Sequence, residues 1–377
     1  MDMKRSCAFA ASLLLLLLAA EVQPAHAQGV CPPCGGGPET VNSHNWSLTF
    51  VRPCLTAATT SGGRGGGIEI RNASFNGRPV LFKGHTPIMY VKYQNDLCGP
   101  FRDWQFEESV FACSGSVSSP GRCNGTAVTN CANPVGGDVG SFCGVSVDTS
   151  NPGYFVLTTV VKADWYRYQF EWYFFSNGTF IPAVKLTGVP HPCLNNTHVH
   201  FIFWRLDFDV EGTTPNVVEE FNAAPLTPGY WQNPDPLFTE MSRMRDASPP
   251  SRYWRARNTS TNRGYLIVPP DFLGLPSFAD GAAVVPQVAD LWLLQYQPAL
   301  QDETDDCAGG LCALGGGTGY WAHLNRFIDE SSTPNMVGGD VVVWYAASHS
   351  HEGGPTPPAC DRLNGPICVQ DPSGPPW

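Results

Sequence analysis

The sequence predicts an all-β protein, mainly antiparallel, in the form of one large β-sandwich. Many short apolar runs are separated by glycine and proline, which number 39 and 34 in the 377-residue chain. Several of these runs alternate polar and apolar residues with the period of two that is typical of a strand, and none has the 3.6-residue period of a convincing amphipathic helix. A chain of this length can bury one large core, which favours a single antiparallel domain over a string of small ones.

The first 27 residues have the pattern of a cleaved secretory signal peptide. Lys4 and Arg5 precede an apolar run centred on residues 13–18, and the small-residue site Ala25-His26-Ala27 follows. We therefore expect a secreted, extracellular chain whose mature form begins near Gln28. No later segment is apolar over enough residues to span a bilayer.

The mature chain divides into three parts by composition. Residues 28–44 form a Cys/Gly/Pro-rich leader, residues 45–355 hold the β-sandwich, and residues 356–377 form a Pro/Cys-rich tail. Removing the signal takes Cys7 from the 14 cysteines and leaves 13, a density that predicts disulfides in an exported chain, with one thiol left unpaired or paired to another chain. Asn-x-Ser/Thr sequons, which would be surface positions in a glycoprotein, begin at Asn45, Asn72, Asn124, Asn177, Asn195 and Asn258.

The charge of the chain excludes some partners. The formal net charge is −11 and there is no basic run, so nucleic acid and anionic membranes are poor partners. A cationic substrate would not be repelled.

The predicted elements follow in chain order. Residues 78–93, RPVLFKGHTPIMYVKY, contain two apolar runs separated at Gly84 to Pro87, and residues 113–143 form a Cys-rich loop excursion. Residues 165–188 are a hairpin, because an alternating aromatic strand is followed by the turn pair Asn177-Gly178 and a second strand. Its aromatic face, opposite Arg167, Gln169 and Glu171, is predicted to be the buried one. Further strands are predicted at 197–212, 291–298 and 339–351.

The strand THVHFIFWRLDFDVEG carries a polar pair on each of its faces. Successive side chains point to opposite faces, so His198 and His200 point one way while Asp207 and Asp209 point the other. Burying such groups without partners costs several kcal/mol, so each pair needs something to satisfy it, and a metal ion is one candidate.

The strand GDVVVWYAASHSH repeats the same split. Asp340 is even-numbered, whereas His349 and His351 are odd-numbered. If the two strands are neighbours, a third imidazole joins one pair and a third carboxylate joins the other. Three imidazoles with an open position suit copper or zinc, and carboxylates with backbone carbonyls suit calcium or manganese. Hydrogen-bonded core histidines and solvated carboxylates are the alternative that spacing leaves open.

These motifs resemble the copper-containing amine oxidases, a family that makes a topaquinone cofactor from one of its own tyrosines. HVHFIFWRLDFDVEG resembles the copper-ligand strand, WYRYQFEWYFFSNGTF resembles the quinone-forming strand, and GDVVVWYAASHSH resembles the strand of the third ligand. Other segments follow in the family's order from about Trp46 to His351. The resemblance covers only the family's catalytic β-sandwich domain, not its smaller N-terminal domains.

The resemblance implies roles for individual residues. His198, His200 and His351 correspond to the copper ligands, and Tyr166 to the tyrosine that becomes topaquinone. Tyr93 corresponds to a tyrosine that hydrogen-bonds the quinone, and Glu107 to the family's catalytic aspartate. A peripheral calcium or manganese site corresponds to the carboxylates of Asp207, Asp209 and Asp340 with the carbonyls of Phe208 and Val341.

The activity implied is oxidation of a small primary amine by O2 and water to an aldehyde, ammonia and hydrogen peroxide. Glu107 would remove the α-proton as general base. The chain departs from the family beside the cofactor, where Trp165 replaces an asparagine and Arg167 replaces an acidic residue. We expect Trp165 to pack behind the strand, away from the copper site.

Two further points stay open from the sequence. A non-catalytic, metal-stabilised extracellular binding or wall protein of the same fold is the alternative to an oxidase, because a fold can outlive its chemistry. A homodimer, usual in the family, is the alternative to a monomer.

Overall fold

The computed structural model describes residues 31, 34–56, 67–94, 98, 101–102, 107–129, 131, 138–189, 191–221, 235–243, 252–270, 290–296, 328, 335–351 and 360–377. The predicted signal peptide lies outside these residues. No helix in the described part of the chain is long and apolar enough to cross a membrane.

The described residues form 24 strands and no α-helix. The first twelve are β1 Glu39–Ser43, β2 Trp46–Val51, β3 Glu69–Phe75, β4 Arg78–Tyr93, β5 Phe101–Arg102, β6 Glu107–Glu108, β7 Ala112–Cys113, β8 Ser116–Ser119, β9 Arg122–Asn124, β10 Ala127–Val128, β11 Val145–Asp148 and β12 Tyr154–Ala163. The others are β13 Tyr166–Phe175, β14 Phe180–Gly188, β15 His198–Phe208, β16 Asn216–Phe221, β17 Asp235–Pro236, β18 Met241–Arg243, β19 Tyr253–Asn258, β20 Gly264–Val268, β21 Leu291–Gln295, β22 Val341–His351, β23 Asp361–Asn364 and β24 Ile367–Gln370. Short 3-10 turns lie at Pro53–Leu55 and Pro192–Asn195.

Two large sheets account for nearly all of these strands. The first has the order β1-β2-β3-β4-β15-β22-β21-β18, with β5 also on β4. The second has the order β17-β16-β19-β20-β24-β14-β13-β12-β11-β9-β8, with β23 on β14 and β6 on β12, and a small third sheet pairs β7 with β10. Among the described strands, only β9 and β11 pair in parallel. The predicted all-β, mainly antiparallel class is confirmed.

The core lies between the two large sheets. Its largest cluster joins β2, β3 and β15 of the first sheet to β13 and β14 of the second, with Trp46, Trp172 and Phe174 at 0–2% exposure. A second cluster packs Tyr166 and Tyr168 of β13 against Ile202 of β15 and Tyr345 of β22. This packing sets the histidine-bearing end of the first sheet against the start of β13.

The predicted hairpin is β13 and β14, with Gly178 of the turn at φ +85°. The aromatic face is buried as expected, but the opposite face is buried as well. Arg167, Gln169 and Glu171 are 0–6% exposed. The Cys-rich excursion supplies partners for two of them, because Thr129 hydrogen-bonds Gln169 and Asp138 pairs with Arg167, while Glu171 pairs with Lys185 of β14. A polar face can be buried when each group on it has a partner.

Three segment boundaries predicted from the sequence differ from the bounds of the observed strands. The break predicted at Gly84 to Pro87 is absent, because β4 runs through it and only its register with β15 shifts. The leader supplies β1, which pairs with β2. The tail supplies β23 and β24, which pair with β14 and β20. The described parts of leader and tail therefore belong to the sheets.

The prediction of a disulfide-rich chain is confirmed among the described cysteines. The bonds are Cys31–Cys143, Cys34–Cys54, Cys98–Cys193, Cys113–Cys123 and Cys131–Cys360. Cys368 is free and buried.

The sequons do not all lie at the surface. Asn45, Asn72, Asn124, Asn177 and Asn195 are exposed. Asn258, however, is 3% exposed and its side-chain amide donates to the Val210 carbonyl at 3.0 Å. Asn258 is therefore not accessible for glycosylation in the folded chain.

Candidate metal centre

Three histidines converge at the end of the first sheet. Strands β15 and β22 are antiparallel neighbours, with His198 opposite His351 and His200 opposite His349. The rings of His198, His200 and His351 lie with their centroids 5.0–5.1 Å apart. One ring nitrogen from each lies within 4.8 Å of the others. The alternation along each strand and the register between the strands together produce this cluster.

The hydrogen bonds around the cluster define which nitrogen each ring offers. His198 Nδ1 lies 2.7 Å from the carbonyl of Asn196, so it carries the proton and leaves Nε2 as the ligand atom. Tyr168 Oη lies 3.3 Å from His200 Nδ1, and His200 Nε2 is buried without a hydrogen-bond partner. His351 Nδ1 lies 3.2 Å from His198 Nε2, so it faces into the cluster.

The surroundings of the three histidines favour the neutral imidazole. Burial, followed by the other imidazoles, holds the pKa of His200 well below its ordinary range. Burial also lowers the pKa of His198 and, with His349 and His198, lowers the pKa of His351 to about 3. A metal ligand must be the neutral imidazole, so the site needs no proton loss before a cation binds.

This donor set fits copper. Three neutral imidazoles leave an open coordination position, and the unpartnered His200 Nε2 is a buried polar atom that a metal would satisfy. The ring of Tyr166 lies beside the three histidines. Its ring centroid is 4.8 Å from that of His200 and 5.8 Å from that of His198.

Tyr166 and Tyr93 meet beside the histidines. Their hydroxyl oxygens are 2.6 Å apart, and the Tyr93 ring centroid lies 5.1 Å from that of His198. Tyr166 is 2% exposed and Tyr93 is 0% exposed. The structure thus brings together the two tyrosines and the three histidines that the resemblance singles out.

The expectation that Trp165 packs behind the strand is wrong. Its indole Nε1 donates to the Tyr93 hydroxyl at 3.1 Å, and its ring stacks on His191 with centroids 4.0 Å apart. Trp165 precedes β13 and lies in the turn after Asp164, whose φ is +50°. The alternation of faces holds only within a regular strand, so it does not apply to this residue.

Arg167 is accommodated by a partner far away in sequence. Its guanidinium is 0% exposed and lies 2.5 Å from Asp138 Oδ1. It also donates to the carbonyls of Asp164 and Tyr166 at 2.9 and 2.8 Å. The basic residue at this position is therefore neutralised by Asp138, and it braces the backbone on both sides of Trp165.

Glu107 lies in the two-residue strand β6, opposite Lys162 of β12. The structure does not describe its side chain, so its role as a general base stays a prediction.

A second cluster lies on the other face of the first sheet. One oxygen from each of Asp207, Asp209 and Asp340 lies within 4.8 Å of the others. The backbones of Phe208 and Val341 pair directly between them. Arg205 Nη1 lies 3.3 Å from Asp207 Oδ2, whereas Asp209 Oδ1 and Asp340 Oδ1 are buried without hydrogen-bond partners.

Burial and mutual repulsion disfavour the ionised form of the three carboxyl groups. Burial, with Asp340 nearby, raises the pKa of Asp207 to about 7. Burial and neighbouring carboxylates raise the pKa values of Asp209 and Asp340 to about 6. A hard divalent cation with oxygen ligands would relieve this repulsion, so the donor set fits calcium or manganese.

Sequence reasoning missed one group beside the histidines. Asp361 of β23 lies 3.2 Å from His349 Nε2 and 3.0 Å from His351 Nε2. It falls in the segment predicted to be a tail, and nothing in its local sequence marks it. The neighbouring Cys360 is the one signal that this segment is tied to the domain, through its bond to Cys131.

Comparisons with known proteins find copper-containing amine oxidases among the similar proteins. No family model matches the chain. The copper-containing diamine oxidase 1, peroxisomal, of Nicotiana tabacum is 29% identical over 227 residues, which is 49% of this chain and 28% of that enzyme. N-methylputrescine oxidase 1, peroxisomal, of the same plant matches with the same identity and coverage. The matched segment thus spans less than a third of the length of these relatives.

Solved structures share the fold over most of the chain. A copper-containing benzylamine oxidase from Hansenula polymorpha superposes with a TM-score of 0.54 at 15% identity, covering 94% of this chain and 64% of that one. An Aspergillus nidulans amine oxidase gives a TM-score of 0.52 at 14% identity, covering 98% and 56%. The chain therefore contains a divergent copper amine oxidase-like domain.

Proposed function

We propose that the chain is a secreted, copper-dependent primary-amine oxidase whose topaquinone derives from Tyr166. The net reaction converts a primary amine, O2 and water into an aldehyde, ammonia and hydrogen peroxide. One observation carries the proposal: three neutral imidazoles converge on the ring of a buried tyrosine, with the Tyr166 and His200 centroids 4.8 Å apart. The relatives named above are copper-containing diamine oxidase and N-methylputrescine oxidase, which supports an amine as substrate.

His198, His200 and His351 would hold the copper. Bound there, copper would supply the site for O2 to oxidise the Tyr166 phenol, and the quinone would supply an electrophilic carbonyl for the amine. The histidines offer Nε2, Nε2 and Nδ1, each with its other nitrogen facing a neighbouring polar group. Such outer contacts fix the orientation of a ligand ring before the metal binds.

Tyr93 and Trp165 would hold the ring of Tyr166 in place. The Tyr93 hydroxyl is 2.6 Å from that of Tyr166 and accepts the indole N–H of Trp165, so the phenol oxygen is anchored at the end of a hydrogen-bonded chain. With Tyr166 only 2% exposed, bulk water is excluded from its ring. A buried, preorganised phenol suits a site that must direct O2 to one ring position.

Glu107 would act as the base. It stands at the position where the family has its catalytic carboxylate, and removal of the α-proton by a positioned carboxylate typically contributes about 10²–10⁴-fold in rate. Glutamate is one methylene longer than aspartate, so the pocket has to accommodate that length for the carboxylate to reach the same proton.

The acidic cluster would hold calcium or manganese in a structural role. Its carboxylates and the neighbouring backbone of Phe208 and Val341 supply the oxygen ligands that these cations prefer. Because this site lies on the opposite face of β15 from the histidines, its cation would stabilise the sheet without touching the amine. Secretion is proposed from the N-terminal signal pattern, and the disulfides suit an oxidising compartment.

A second candidate function is a non-catalytic, metal-stabilised extracellular binding or wall protein. The contact of Trp165 with Tyr93 favours it, because the stacked rings of Trp165 and His191 lie beside the tyrosine pair and restrict its movement. A ring that cannot turn could still sit beside copper without turning over a substrate.

The deciding experiment is a phenylhydrazine titration of the purified protein after loading with copper in air. An oxidase gives about one reactive carbonyl per chain and releases peroxide with small primary amines such as benzylamine or putrescine. Tyr166→Phe should lose the carbonyl while keeping its copper, which assigns the quinone to this residue. A copper-loaded wild type with no reactive carbonyl would sink the oxidase proposal and favour the second candidate.

A further inference from the structure

His351 also belongs to a second group of nitrogen and oxygen atoms, which lies around its Nε2. Whereas its Nδ1 lies 3.2 Å from His198 Nε2, its Nε2 lies 3.0 Å from Asp361 Oδ2. The same carboxylate oxygen lies 3.2 Å from His349 Nε2. These two imidazoles and one carboxylate have one ligand atom each within 4.8 Å of the others.

The Nε2 atom of His351 is the polar atom of this group that has no hydrogen-bond partner. His351 is 4% exposed, and its Nε2 makes no hydrogen bond in spite of the carboxylate 3.0 Å away. The carboxylate oxygen is instead hydrogen-bonded to His349 Nε2 at 3.2 Å. In a tetrahedral site, two ligand atoms that each lie about 2.0–2.1 Å from one zinc ion are about 3.3 Å apart, which is close to the spacing of this oxygen from the two ring nitrogens.

The three groups come from separate elements that the fold ties together. His349 and His351 alternate on β22, which places both rings on the same face of the sheet. Asp361 begins β23, where it pairs with Leu186 of β14, and the preceding Cys360 is bonded to Cys131. The position of the carboxylate is thus set by a strand pairing and a cross-link rather than by a free tail.

We propose that His349 Nε2, His351 Nε2 and Asp361 bind a second divalent cation of the zinc class. Two imidazoles and one carboxylate are the ligand set of an open zinc site, with the fourth position left for water. That position is available here because the side chains of Asp361 and His349 are 45% and 19% exposed. His351 then bridges two sites, with Nδ1 toward the copper position and Nε2 toward the zinc.

The bridging role carries a proton balance. A neutral imidazole has one proton and one lone pair, so His351 serves two cations only as imidazolate. Binding of zinc to the copper-loaded protein releases the ring proton to water, and the negative charge left on the ring is shared between the two cations. The site shares His351 with the proposed copper site, but it requires neither Tyr166 nor amine oxidation.

The test is the metal content of the full mature chain. The protein is loaded with copper, then with zinc chloride, in buffer with excess calcium to keep the acidic cluster occupied, and is dialysed before elemental analysis. The wild type should hold about one copper and one zinc. His349→Ala and Asp361→Asn should lose zinc and keep copper, while His200→Ala should lose copper and keep zinc. His351→Ala should lose both, and the control His44→Ala, at a histidine outside both clusters, should lose neither.

Competition with a chelator measures the affinity. We expect Asp361→Asn to weaken zinc binding at least tenfold, while zinc binding by Tyr166→Phe stays unchanged whether or not a quinone forms. If copper-loaded wild type takes up no zinc, the proposal is overturned. It is also overturned if Asp361→Asn loosens copper but leaves zinc unchanged, because the carboxylate then only orients His351. Melting curves of each metal-free variant test whether the variant is folded, so that a loss of metal is not mistaken for a loss of folding. If a variant does not fold, the metal content of the wild type still tests the proposal.

Discussion

The indole Nε1 of Trp165 donates to the hydroxyl of Tyr93 at 3.1 Å, and that hydroxyl lies 2.6 Å from the hydroxyl of Tyr166. Trp165, which stands where the family has an asparagine, is therefore linked through Tyr93 to Tyr166, the proposed cofactor tyrosine. The contact is possible because Trp165 belongs to the turn before β13 rather than to the strand. Its effect on the chemistry can be tested without altering any proposed metal ligand.

We predict that Trp165→Phe speeds the reaction of the copper-loaded protein with phenylhydrazine. The substitution keeps an aromatic ring to stack on His191 but removes one neutral hydrogen bond to Tyr93, a contact of about 1 kcal/mol, so a rise of about fivefold is expected. Trp165→Asn, which restores the residue type of the family, should raise both this rate and peroxide release. Equal rates in all three proteins would show that Trp165 does not restrict the ring of Tyr166.

The buried pair of Arg167 and Asp138 predicts a large, non-additive effect on stability. Arg167→Met leaves the Asp138 carboxylate buried without its charge partner, which should lower the free energy of unfolding by about 3–5 kcal/mol. The double variant Arg167→Met/Asp138→Asn should recover much of that loss. Denaturant titration measures each value. Arg122→Met, at a more exposed pair with Glu39, is the matched control and should cost about 1 kcal/mol or less.

The acidic cluster predicts a stability that depends jointly on pH and calcium. In the cation-free protein the pKa values of Asp207, Asp209 and Asp340 are raised to between about 6 and about 7. A carboxyl group whose pKa is raised in the folded state stabilises that state at pH values below the ordinary carboxyl pKa. This contribution is lost as pH rises through about 7. Without a cation, the three groups therefore oppose folding at neutral pH.

Calcium should reverse this loss, because it binds the ionised carboxylates. We expect calcium to raise the melting temperature clearly at pH 8 and little at pH 5, where protons compete for the same oxygens. Scanning fluorimetry with calcium or with a chelator measures the difference. It should shrink in Asp207→Ala and Asp340→Ala but persist in Asp148→Asn, a control outside the cluster. A calcium effect that is the same at both pH values would contradict the cluster as its site.

The proposed base predicts a separation of cofactor formation from turnover. Glu107→Gln should keep copper and the phenylhydrazine-reactive carbonyl but lose peroxide release with primary amines by at least about 10²-fold. The loss should affect kcat, since the amide cannot accept the α-proton. Full activity in this variant would move the base to another residue and leave the metal site unaffected.

Local patterns in the sequence determined which side chains share a face. Alternation along single strands put His198 beside His200 and Asp207 beside Asp209, and the turn pair Asn177-Gly178 predicted the hairpin of β13 and β14. These features depend on neighbours a few residues away, which is why they can be derived from the sequence. The β-rich class follows from the same patterns repeated along the chain.

Only the tertiary structure decided which segments meet. The register that sets His351 opposite His198 joins residues 153 positions apart, and Arg167 finds Asp138 in a loop 29 residues away. Asp361 reaches His351 because its segment pairs with β14, and Asn258 is withdrawn from the surface by packing against the Val210 carbonyl. Each of these contacts depends on how whole sheets pack and cross-link. That is a property of the entire core, and no local pattern of charge or hydrophobicity encodes it.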